Sequence, residues 1–320
     1  MTEPTVPAQS MSSGGMAPAP SPAEAPAGSA PGGEVVRSAG APWTMILRAF
    51  IDNRLALVGA VLVVLVTLFC FVGPLIWRTN QTHAVMLSVN LSPGGKHPLG
   101  TDDSGFDVLG RLMVGGQSSL EVGFAVALVS TGFGVIYGTI AGFLGGFADT
   151  ILMRIVDVIL AIPIVYLFID LASIFRPTLL LLILVLSFLS WVGPARLVRG
   201  ETLSLRTREY VEAVRTMGGR LPRIVFRHLV PNTIGTIVVN ATFQIADAIL
   251  TLAVLSYLGF SLPPPAATWG GMLENGVNFM YDGYWWQIYP AGAMIVLTVL
   301  AFNFIGDGLR DALDVRLQRR

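Results

Sequence analysis

The chain has 320 residues, of which 53% are hydrophobic and 12% are charged, and its net charge is zero. A soluble domain usually carries about 25% charged residues, so this composition excludes an ordinary water-soluble globular protein. Several uncharged runs reach the roughly 20 residues that a helix needs to cross a bilayer. The chain is therefore expected to be a polytopic membrane protein. Its single cysteine, Cys70, excludes a disulfide framework within one chain.

The chain begins with a segment, residues 1–42, that is rich in Ala, Pro, Gly and Ser. Such a composition buries too little apolar surface to offset the entropy lost on ordering, which predicts a disordered segment. It lacks the basic start and apolar core of a signal peptide.

Six apolar runs follow, and runs of this length predict helices rather than barrel strands. The predicted spans are Leu55–Trp77, Val122–Ala148, Ile155–Phe175, Pro177–Ala195, Asn232–Phe260 and Gly283–Gly306. The third is the weakest because it contains Asp157 and Asp170. The chain is thus predicted to be an all-α integral membrane protein with six transmembrane helices.

The arginines predict the orientation of these spans, since cytoplasmic loops carry an excess of Lys and Arg. Eight arginines lie between the fourth and fifth spans, and four more lie in the C-terminal tail. The loop 261–282 has neither Lys nor Arg. Both termini and the arginine-rich loop are therefore expected to be cytoplasmic, and the loop 261–282 to be external.

The arginine-rich loop contains the stretch "EYVEAVRTMGGRLPRIVFRHLVPN" at 209–232. An apolar stripe recurs there at helical spacing, made of Tyr210, Val211, Val214 and Met217. Gly218 and Gly219 supply a helix stop, with Gly218 expected in the left-handed conformation. Pro222 can open a second short helix, and Pro231 can end it and open the fifth span. The stretch therefore predicts two short helices joined by a sharp turn.

Two interpretations of this stretch remain open at the level of composition. A basic interfacial helix would contact anionic lipid headgroups. The small residues Ala213 and Gly218 favour the alternative, because they allow another protein surface to approach closely.

The same stretch resembles the "EAA" coupling loop of ABC-importer membrane subunits. Glu212, Ala213, Gly218 and Pro231 match the pattern, and Val214, His228 and Val230 depart from it. Four further segments are similar to the C-type permeases of the peptide/nickel branch: "HPLGTDDSGFDVLGRLMVGGQSSL" at 97–120, "RLVRGETLSLRTREYVEAVRTMGG" at 196–219, "TWGGML" at 268–273 and "AFNFIGDGLRDALD" at 301–314. The resemblance covers roughly residues 43–315 in chain order.

This resemblance implies a type I ABC-importer transmembrane fold in the cytoplasmic membrane of a bacterium. Its expected parts are a first helix and external loop at 43–115, a transmembrane domain at 116–306 with a coupling loop at 196–231, and a cytoplasmic tail at 307–320. The residues expected to contact an ATPase are Glu212, Ala213, Gly218, Gly219 and Pro231.

The resemblance also implies the partners and the mechanism. The partners would be a homologous second permease, two ATP-binding cassette ATPases, an external substrate-binding protein and the lipid bilayer, with no nucleic acid. ATP and Mg²⁺ would bind the ATPases rather than this chain, and transport would proceed by alternating access. The cargo implied is a dipeptide or oligopeptide, with nickel and glutathione as alternatives.

Motifs of enzymatic chemistry are absent from the sequence. No GxxxxGK[ST], HExxH or GxSxG motif occurs, which excludes a P-loop and predicts that the chain is not an enzyme. The three histidines, His83, His97 and His228, lack the spacing of metal ligands.

Acidic residues within apolar spans are costly in lipid and are functional candidates by default. Asp157 lies one turn from Arg154 and is expected to pair with it, whereas Asp247 sits in the middle of its span and is a candidate pore-lining residue. A different class of protein, a self-contained ion-coupled carrier, would need internal repeats or several charged midplane residues. No repeat relates the two halves of the chain.

Two groups of residues are expected to be structural. The glycines that crowd the second span and its exit favour close helix packing: Gly123, Gly132, Gly134, Gly138, Gly142, Gly145 and Gly146. Three tryptophans are expected in an interfacial aromatic belt: Trp269, Trp285 and Trp286.

Overall fold

The computed structural model describes residues 42–79, 81–163, 166–167, 170 and 174–318. Within these residues, five helical stretches are long and apolar enough to cross a membrane: Arg54–Ile76, Val108–Leu144, Leu179–Leu205, Pro222–Phe260 and Trp285–Leu313. The prediction of an all-α membrane protein is confirmed. The third predicted span, Ile155–Phe175, lies partly outside the described residues, and so does the predicted disordered segment apart from Pro42.

The described residues form twelve α-helices with short irregular connections. The helices are α1 (Pro42–Asp52), α2 (Arg54–Phe71), α3 (Gly73–Ile76), α4 (Val108–Leu144), α5 (Gly146–Leu160), α6 (Leu179–Ser190), α7 (Val192–Leu205), α8 (Glu209–Thr216), α9 (Leu221–Ile224), α10 (Val230–Leu255), α11 (Trp269–Val277) and α12 (Tyr289–Gln318). Two π-helical segments, Val225–Leu229 and Ser256–Phe260, begin and end the α10 region.

The centre of the bundle is α4, which packs against α7 and α10, while α12 packs against α2 and α10. One buried cluster joins α2, α4, α10, α11 and α12 around Trp269. A second joins α4, α6 and α10 around Leu186 and Leu252. Residues 206–220 lie at one end of this bundle, called here the loop end. Residues 77–79, 81–107 and 261–288 lie at the other end, called here the opposite end.

Helix α4 begins at Val108, fourteen residues before the start predicted for the second span. Two polar residues in this added part of the helix have partners elsewhere in the chain. Arg111 donates to the carbonyl of Pro265 at 2.9 Å, and Gln117 donates to the carbonyl of Cys70 at 2.8 Å. The predicted start was therefore wrong, because the helix continues past the exposed Glu121 as far as Val108.

The fourth and fifth spans also continue past their predicted ends at the loop end. A turn at Trp191 joins α6 to α7, which runs through Arg196 and Arg199 as far as Leu205. The expectation that Pro231 ends a second short helix was wrong. The helix that starts at Leu221 continues through the π-helical segment into α10.

The opposite end is fixed by buried polar contacts. Asp107 caps α4 by accepting a hydrogen bond from the Gly110 N–H at 2.7 Å, and its other carboxylate oxygen lies 2.6 Å from Nδ1 of His97. Trp286 donates from Nε1 to the carbonyl of Thr101 at 3.2 Å, and Gln287 donates to the Asn90 side chain at 2.8 Å. These bonds join the residues before α4 to the residues before α12.

The predicted aromatic belt was wrong for two of its three tryptophans. Trp269 is fully buried and Trp286 is 7% exposed, whereas Trp285 is 51% exposed. Gly270 lets α11 approach the backbone of α10 at Ala253, which brings Trp269 into the core. Its indole N–H is satisfied by the carbonyl of Leu112 at 2.9 Å. Because its indole N–H is bonded within the protein, Trp269 does not need a position at the membrane–water interface.

Candidate functional site

The candidate site is the segment from Arg206 to Gly219 at the loop end, which contains α8. An apolar cluster anchors it: Val211, Ile224, Val225 and Leu229 are buried together, with Phe143, Leu205, Val214 and Val230 packed around them. These residues come from the ends of α4 and α7, from α8 and from the start of the α10 region. The cluster therefore holds α8 against three of the long helices at once.

Helix α8 ends in a left-handed turn. The N–H of Gly219 bonds to the carbonyl of Val214 at 2.9 Å, and the N–H of Gly218 bonds to the carbonyl of Arg215 at 3.0 Å. The six-to-one bond and the φ of +79° at Gly218 are features of a Schellman stop. A Cβ at Gly218 would meet no atom within 4 Å, whereas one at Gly219 would lie 2.7 Å from the carbonyl oxygen of Val214. Gly218 is thus required by its backbone conformation and Gly219 by space.

The predicted apolar stripe of α8 divides into two faces. Val211 is buried and Val214 is half-buried, but Tyr210 and Met217 are exposed, the latter by 78%. Ala213 is exposed between them. Residues three and four apart lie on one face of a helix, so Tyr210, Ala213 and Met217 form an apolar surface with a small residue at its centre. The described residues therefore cover only half of the stripe.

Glu212 is exposed beside this surface. The sequence suggested that Glu212 can pair with Arg215, but the ion pairs found among the described residues do not include it. The Arg215 guanidinium instead lies 5.9 Å from the centroid of the Phe143 ring. The Glu212 carboxylate is therefore available to a group outside the described residues.

Pro231 lies in the first turn of α10 and links the site to that helix. Proline lacks an N–H and crowds the carbonyl four residues before it. Here the preceding turn is widened, and the N–H of Val230 bonds five residues back to the carbonyl of Val225. The helix therefore remains continuous through the proline. Because α8 packs against Val225 in this continuous helix, a displacement of α8 would be transmitted to α10.

Helix α7 joins the site to α5 through two ion pairs. Arg199 donates to both carboxylate oxygens of Asp149, at 2.5 and 2.6 Å. These hydrogen bonds hold the pKa of Asp149 below its ordinary value. Arg196 pairs with Asp157 at 2.5 Å, so the expected pairing of Asp157 with Arg154 was wrong. The correct partner is 39 residues away in sequence, and spacing along one helix could not have indicated it.

Glycines of α4 bring its backbone against α7. A Cβ at Gly134 would lie 2.7 Å from the carbonyl oxygen of Trp191, and one at Gly142 would lie 2.8 Å from Cβ of Thr202. A Cβ at Gly138 would overlap the carbonyl oxygen of Ala195. The packing role predicted for these three glycines is confirmed. Gly132, by contrast, faces open space within the described chain.

Two further contacts at the loop end were not anticipated from the sequence. Arg206, directly after α7, donates to the carbonyl of Gly142 at 3.1 Å. Thr236 of α10 donates to the carboxylate of Glu201 of α7 at 2.5 Å. Both are long-range contacts between single polar residues, for which one sequence carries no signal.

The structure brings five of the six predicted site residues together. Glu212, Ala213, Gly218 and Gly219 lie on α8 or at its end, and Pro231 lies on the helix that packs beneath α8. Asp247 is sixteen residues further along α10, about 24 Å along its axis. It is exposed on the surface of the chain, with no hydrogen bond or ion pair among the described residues. No group of His, Cys, Asp and Glu suited to a metal ion occurs within the described part of the chain.

Comparisons with known proteins agree with this arrangement of helices and loop. The family model of the binding-protein-dependent transport system inner membrane component matches residues 134–319. A second model, the N-terminal TM domain of oligopeptide transport permease C, matches residues 41–93. The first match includes α7, α8 and α10 and therefore the whole candidate site.

Individual relatives match most of the chain. The oligopeptide transport system permease protein OppC of Bacillus subtilis is 39% identical over 277 residues, which are 87% of this chain and 90% of that protein. The dipeptide transport system permease protein DppC of the same organism is 38% identical over 83% of each chain. OppC of Escherichia coli K12 is 39% identical over 85% of this chain and 90% of that protein. The chain therefore belongs to the family of inner membrane components of binding-protein-dependent transport systems, in the C-type peptide permease branch.

Proposed function

We propose that this chain is the membrane-spanning permease subunit of an ATP-driven peptide importer, and that α8 is the element by which a separate ATPase moves it. The relatives that support the substrate class are named as oligopeptide and dipeptide permeases. The observation that carries the proposal is the exposed face of Tyr210, Ala213 and Met217. A helix that docks a partner leaves such a face free, and the exposed small residue Ala213 at its centre allows another protein surface to approach closely.

The contacts of α8 explain how docking would act on the spans. Its buried side is fixed through Val211 to Val225 at the start of the α10 region. Its N-terminal end follows α7, which the Arg199–Asp149 pair ties to α5. A force on α8 therefore reaches several spanning helices without passing through a flexible link.

The energy required is modest compared with what ATP-driven closure of an ATPase dimer supplies. A shift from 1:99 to 99:1 between two conformations needs about 5.5 kcal/mol of differential binding. Binding at one site must bias the other by the same free energy, so a loaded substrate-binding protein on the opposite end favours the ATPase-closed state. This reciprocity supports transport by alternating access between two conformations.

The arginines support a cytoplasmic position for the loop end, in the cytoplasmic membrane of a bacterium. Residues 196–227 carry eight arginines, and the loop 261–282 carries no Lys or Arg. The partners proposed are a homologous second permease, two ATPases that bind ATP and Mg²⁺, and an external substrate-binding protein.

Asp247 is proposed to line the translocation path. It lies in the middle of α10, and a carboxylate exposed at that depth faces a partner subunit or water rather than lipid. Asp247→Asn should reduce uptake of cationic peptides relative to neutral ones, with Glu274→Asn at the opposite end as the control. An unchanged preference would place Asp247 outside the path.

Orientation is tested by labelling intact cells with a membrane-impermeant thiol reagent in a Cys70→Ala background. Asn278→Cys and Thr216→Cys both introduce an exposed thiol, at the opposite end and at the loop end respectively. Asn278→Cys should be labelled and Thr216→Cys should not. The reverse pattern would invert the topology and remove the ATPase from the loop end.

The function itself is tested by reconstitution in liposomes. This chain alone should transport nothing, and the full set of permeases, ATPases and binding protein should import peptide only with ATP. Uptake by the single chain, driven by an ion gradient, would favour the ion-coupled carrier instead. Uptake of nickel or glutathione but not of peptide would retain the architecture and change the substrate.

A further inference from the structure

A basic cavity lies at the opposite end, at the point where the first span leaves the membrane. It has a volume of about 590 Å³ and is lined by residues 75–79 together with Lys96 and His97. This volume falls within the range of small-molecule sites in proteins, about 300–1,000 Å³. The cavity is far from α8 and plays no part in the coupling proposed above.

The charge of this cavity is one-sided. Arg78 and Lys96 are exposed at its wall, and Lys96 is the only lysine in the sequence. No acidic residue lines the cavity among the described residues. The carboxylate of Asp107, which contacts His97, is buried and already bonded to His97 and to the Gly110 N–H. The cavity therefore favours an anion.

The other wall is apolar and continues the surface of the first span. Leu75 is 69% exposed and Ile76 is 79% exposed. Exposed apolar residues continue down α2 from this point, among them Leu65, Leu68 and Phe71. A soluble anion would gain no favourable contact with this apolar wall, whereas the acyl chain of a lipid would lie along it.

The walls of this cavity are held in place by packing against α4. A Cβ at Gly73 would lie 2.8 Å from Sδ of Met113, and one at Gly110 would lie 2.6 Å from Oγ1 of Thr79. His97 is fixed through the buried Asp107, which also caps α4. The cavity is therefore built on a rigid part of the opposite end rather than on a loose loop.

We propose that this cavity binds the headgroup of an anionic glycerophospholipid, with the phosphodiester at Arg78 and Lys96 and an acyl chain along Leu75, Ile76 and the exposed face of α2. Basic side chains at a membrane boundary attract anionic lipids, and each contributes about a fivefold change in binding. Trp77 adds the amphipathic ring that such boundaries favour. The bound lipid would fix the angle at which the first span joins α4.

The proposal is tested on the purified full-length chain in nanodiscs that contain phosphatidylglycerol and phosphatidylcholine in equal amounts. Native mass spectrometry after release from the nanodiscs counts the lipids retained by each protein molecule. The wild type should retain phosphatidylglycerol preferentially. The double variant Arg78→Gln with Lys96→Gln should lose this preference by roughly 25-fold, at about fivefold for each charge removed.

The matched control is Arg176→Gln. It removes one exposed positive charge predicted on the same side of the membrane but outside the cavity, so lipid retention should not change. Unaltered gel-filtration and thermal-unfolding profiles would confirm that both variants are folded. Wild-type retention by the double variant would overturn the proposal.

Two further experiments distinguish a lipid headgroup from a free anion, and a bound lipid from a partner protein over the cavity. Soluble glycerol phosphate should not displace the retained lipid, and displacement at millimolar concentration would indicate a free-anion site instead. Phosphatidylglycerol should also remain bound in the assembled importer. Its loss on assembly would show that a partner protein, not lipid, covers the cavity.

Discussion

The two ends of the helical bundle differ in how much of their aromatic and apolar surface is buried. At the opposite end, Trp269, Asp107 and Trp286 are buried, and each has a hydrogen-bond partner. At the loop end, α8 is held by one small apolar cluster and presents Tyr210 and Met217 to the outside. The opposite end is therefore a packed framework, whereas the loop end presents an exposed apolar surface.

The difference predicts which substitutions should affect stability and which should affect the proposed coupling. Substitutions at the framework should change the free energy of unfolding strongly. Substitutions on the exposed face of α8 should change it little, because few of the chain's own contacts are lost there. Coupling to an ATPase should instead be changed strongly by substitutions on the exposed face of α8 and little by substitutions at the framework.

The largest effect on stability is expected at Trp269. Trp269→Ala removes a fully buried ring and the hydrogen bond to Leu112, and should lower the free energy of unfolding by about 3–5 kcal/mol. Trp285→Ala, at a half-exposed ring nearby, should cost less than about 1 kcal/mol. Denaturant unfolding in detergent micelles measures both. Equal losses would show that the opposite end is not a packed framework.

A smaller effect is expected where α4 contacts α7. Gly138→Ala places a Cβ against the carbonyl oxygen of Ala195 and should cost about 1–3 kcal/mol through backbone shifts. Gly132→Ala meets open space on the same helix and should be neutral, or stabilising by up to about 1 kcal/mol. Thermal unfolding of the two variants side by side tests this contrast. It would fail if Gly138→Ala were as stable as Gly132→Ala.

The Arg199–Asp149 pair should contribute less again. Arg199→Gln leaves a buried carboxylate without its bidentate partner, at a cost of about 1–2 kcal/mol. Arg196→Gln is the matched control, because its partner Asp157 is half-exposed and such pairs contribute about 0–1 kcal/mol.

The pH dependence of this pair follows from the lowered pKa of Asp149. Its stabilisation is fully present above the ordinary Asp pKa of about 3.9 and is lost only as the pH falls through the lower folded-state value. The stability difference between wild type and Arg199→Gln should therefore be constant from pH 8 to about pH 5.5. A difference that shrinks across this range would show that the pair does not hold Asp149 ionised.

The sequence was sufficient where a local rule decides the structure. The left-handed stop at Gly218 follows from two consecutive glycines after an amphipathic stretch, and its φ of +79° agrees. Five apolar runs predicted as spans correspond to long helices. The close packing at Gly134, Gly138 and Gly142 agrees with the prediction made from the many glycines in the second span.

The sequence was insufficient where the local structure depends on a residue that is distant in the sequence. Glu121 and Arg196 bound two of the predicted spans, yet both lie inside helices, and Arg196 is paired there with the distant Asp157. Trp269 was expected at the interface, because nothing local indicates that Gly270 draws α11 into the core. The division of the α8 stripe likewise depends on which helices α8 packs against.

The smallest effect on stability is expected at Glu212 on the exposed side of α8, where the effect on coupling should be large. Glu212→Arg breaks no contact among the described residues and should change stability by less than about 0.5 kcal/mol. Gly218→Val forces a β-branched residue into the left-handed region and distorts the turn, at about 1–3 kcal/mol of local strain. Gly200→Val is the control, since Gly200 lies in helical conformation in α7 with no atom near its Cβ position.

The central claim is tested most directly by the substrate-stimulated ATP hydrolysis of the complete importer in liposomes, measured with peptide uptake in the same vesicles. In Glu212→Arg and Gly218→Val, both rates should fall by about 5- to 150-fold, the range of typical coupling free energies, and the ATPases should co-purify poorly. Gly200→Val should match the wild type. If both loop variants hydrolyse ATP and import peptide at wild-type rates with the ATPases fully bound, α8 is a membrane-surface helix and does not couple.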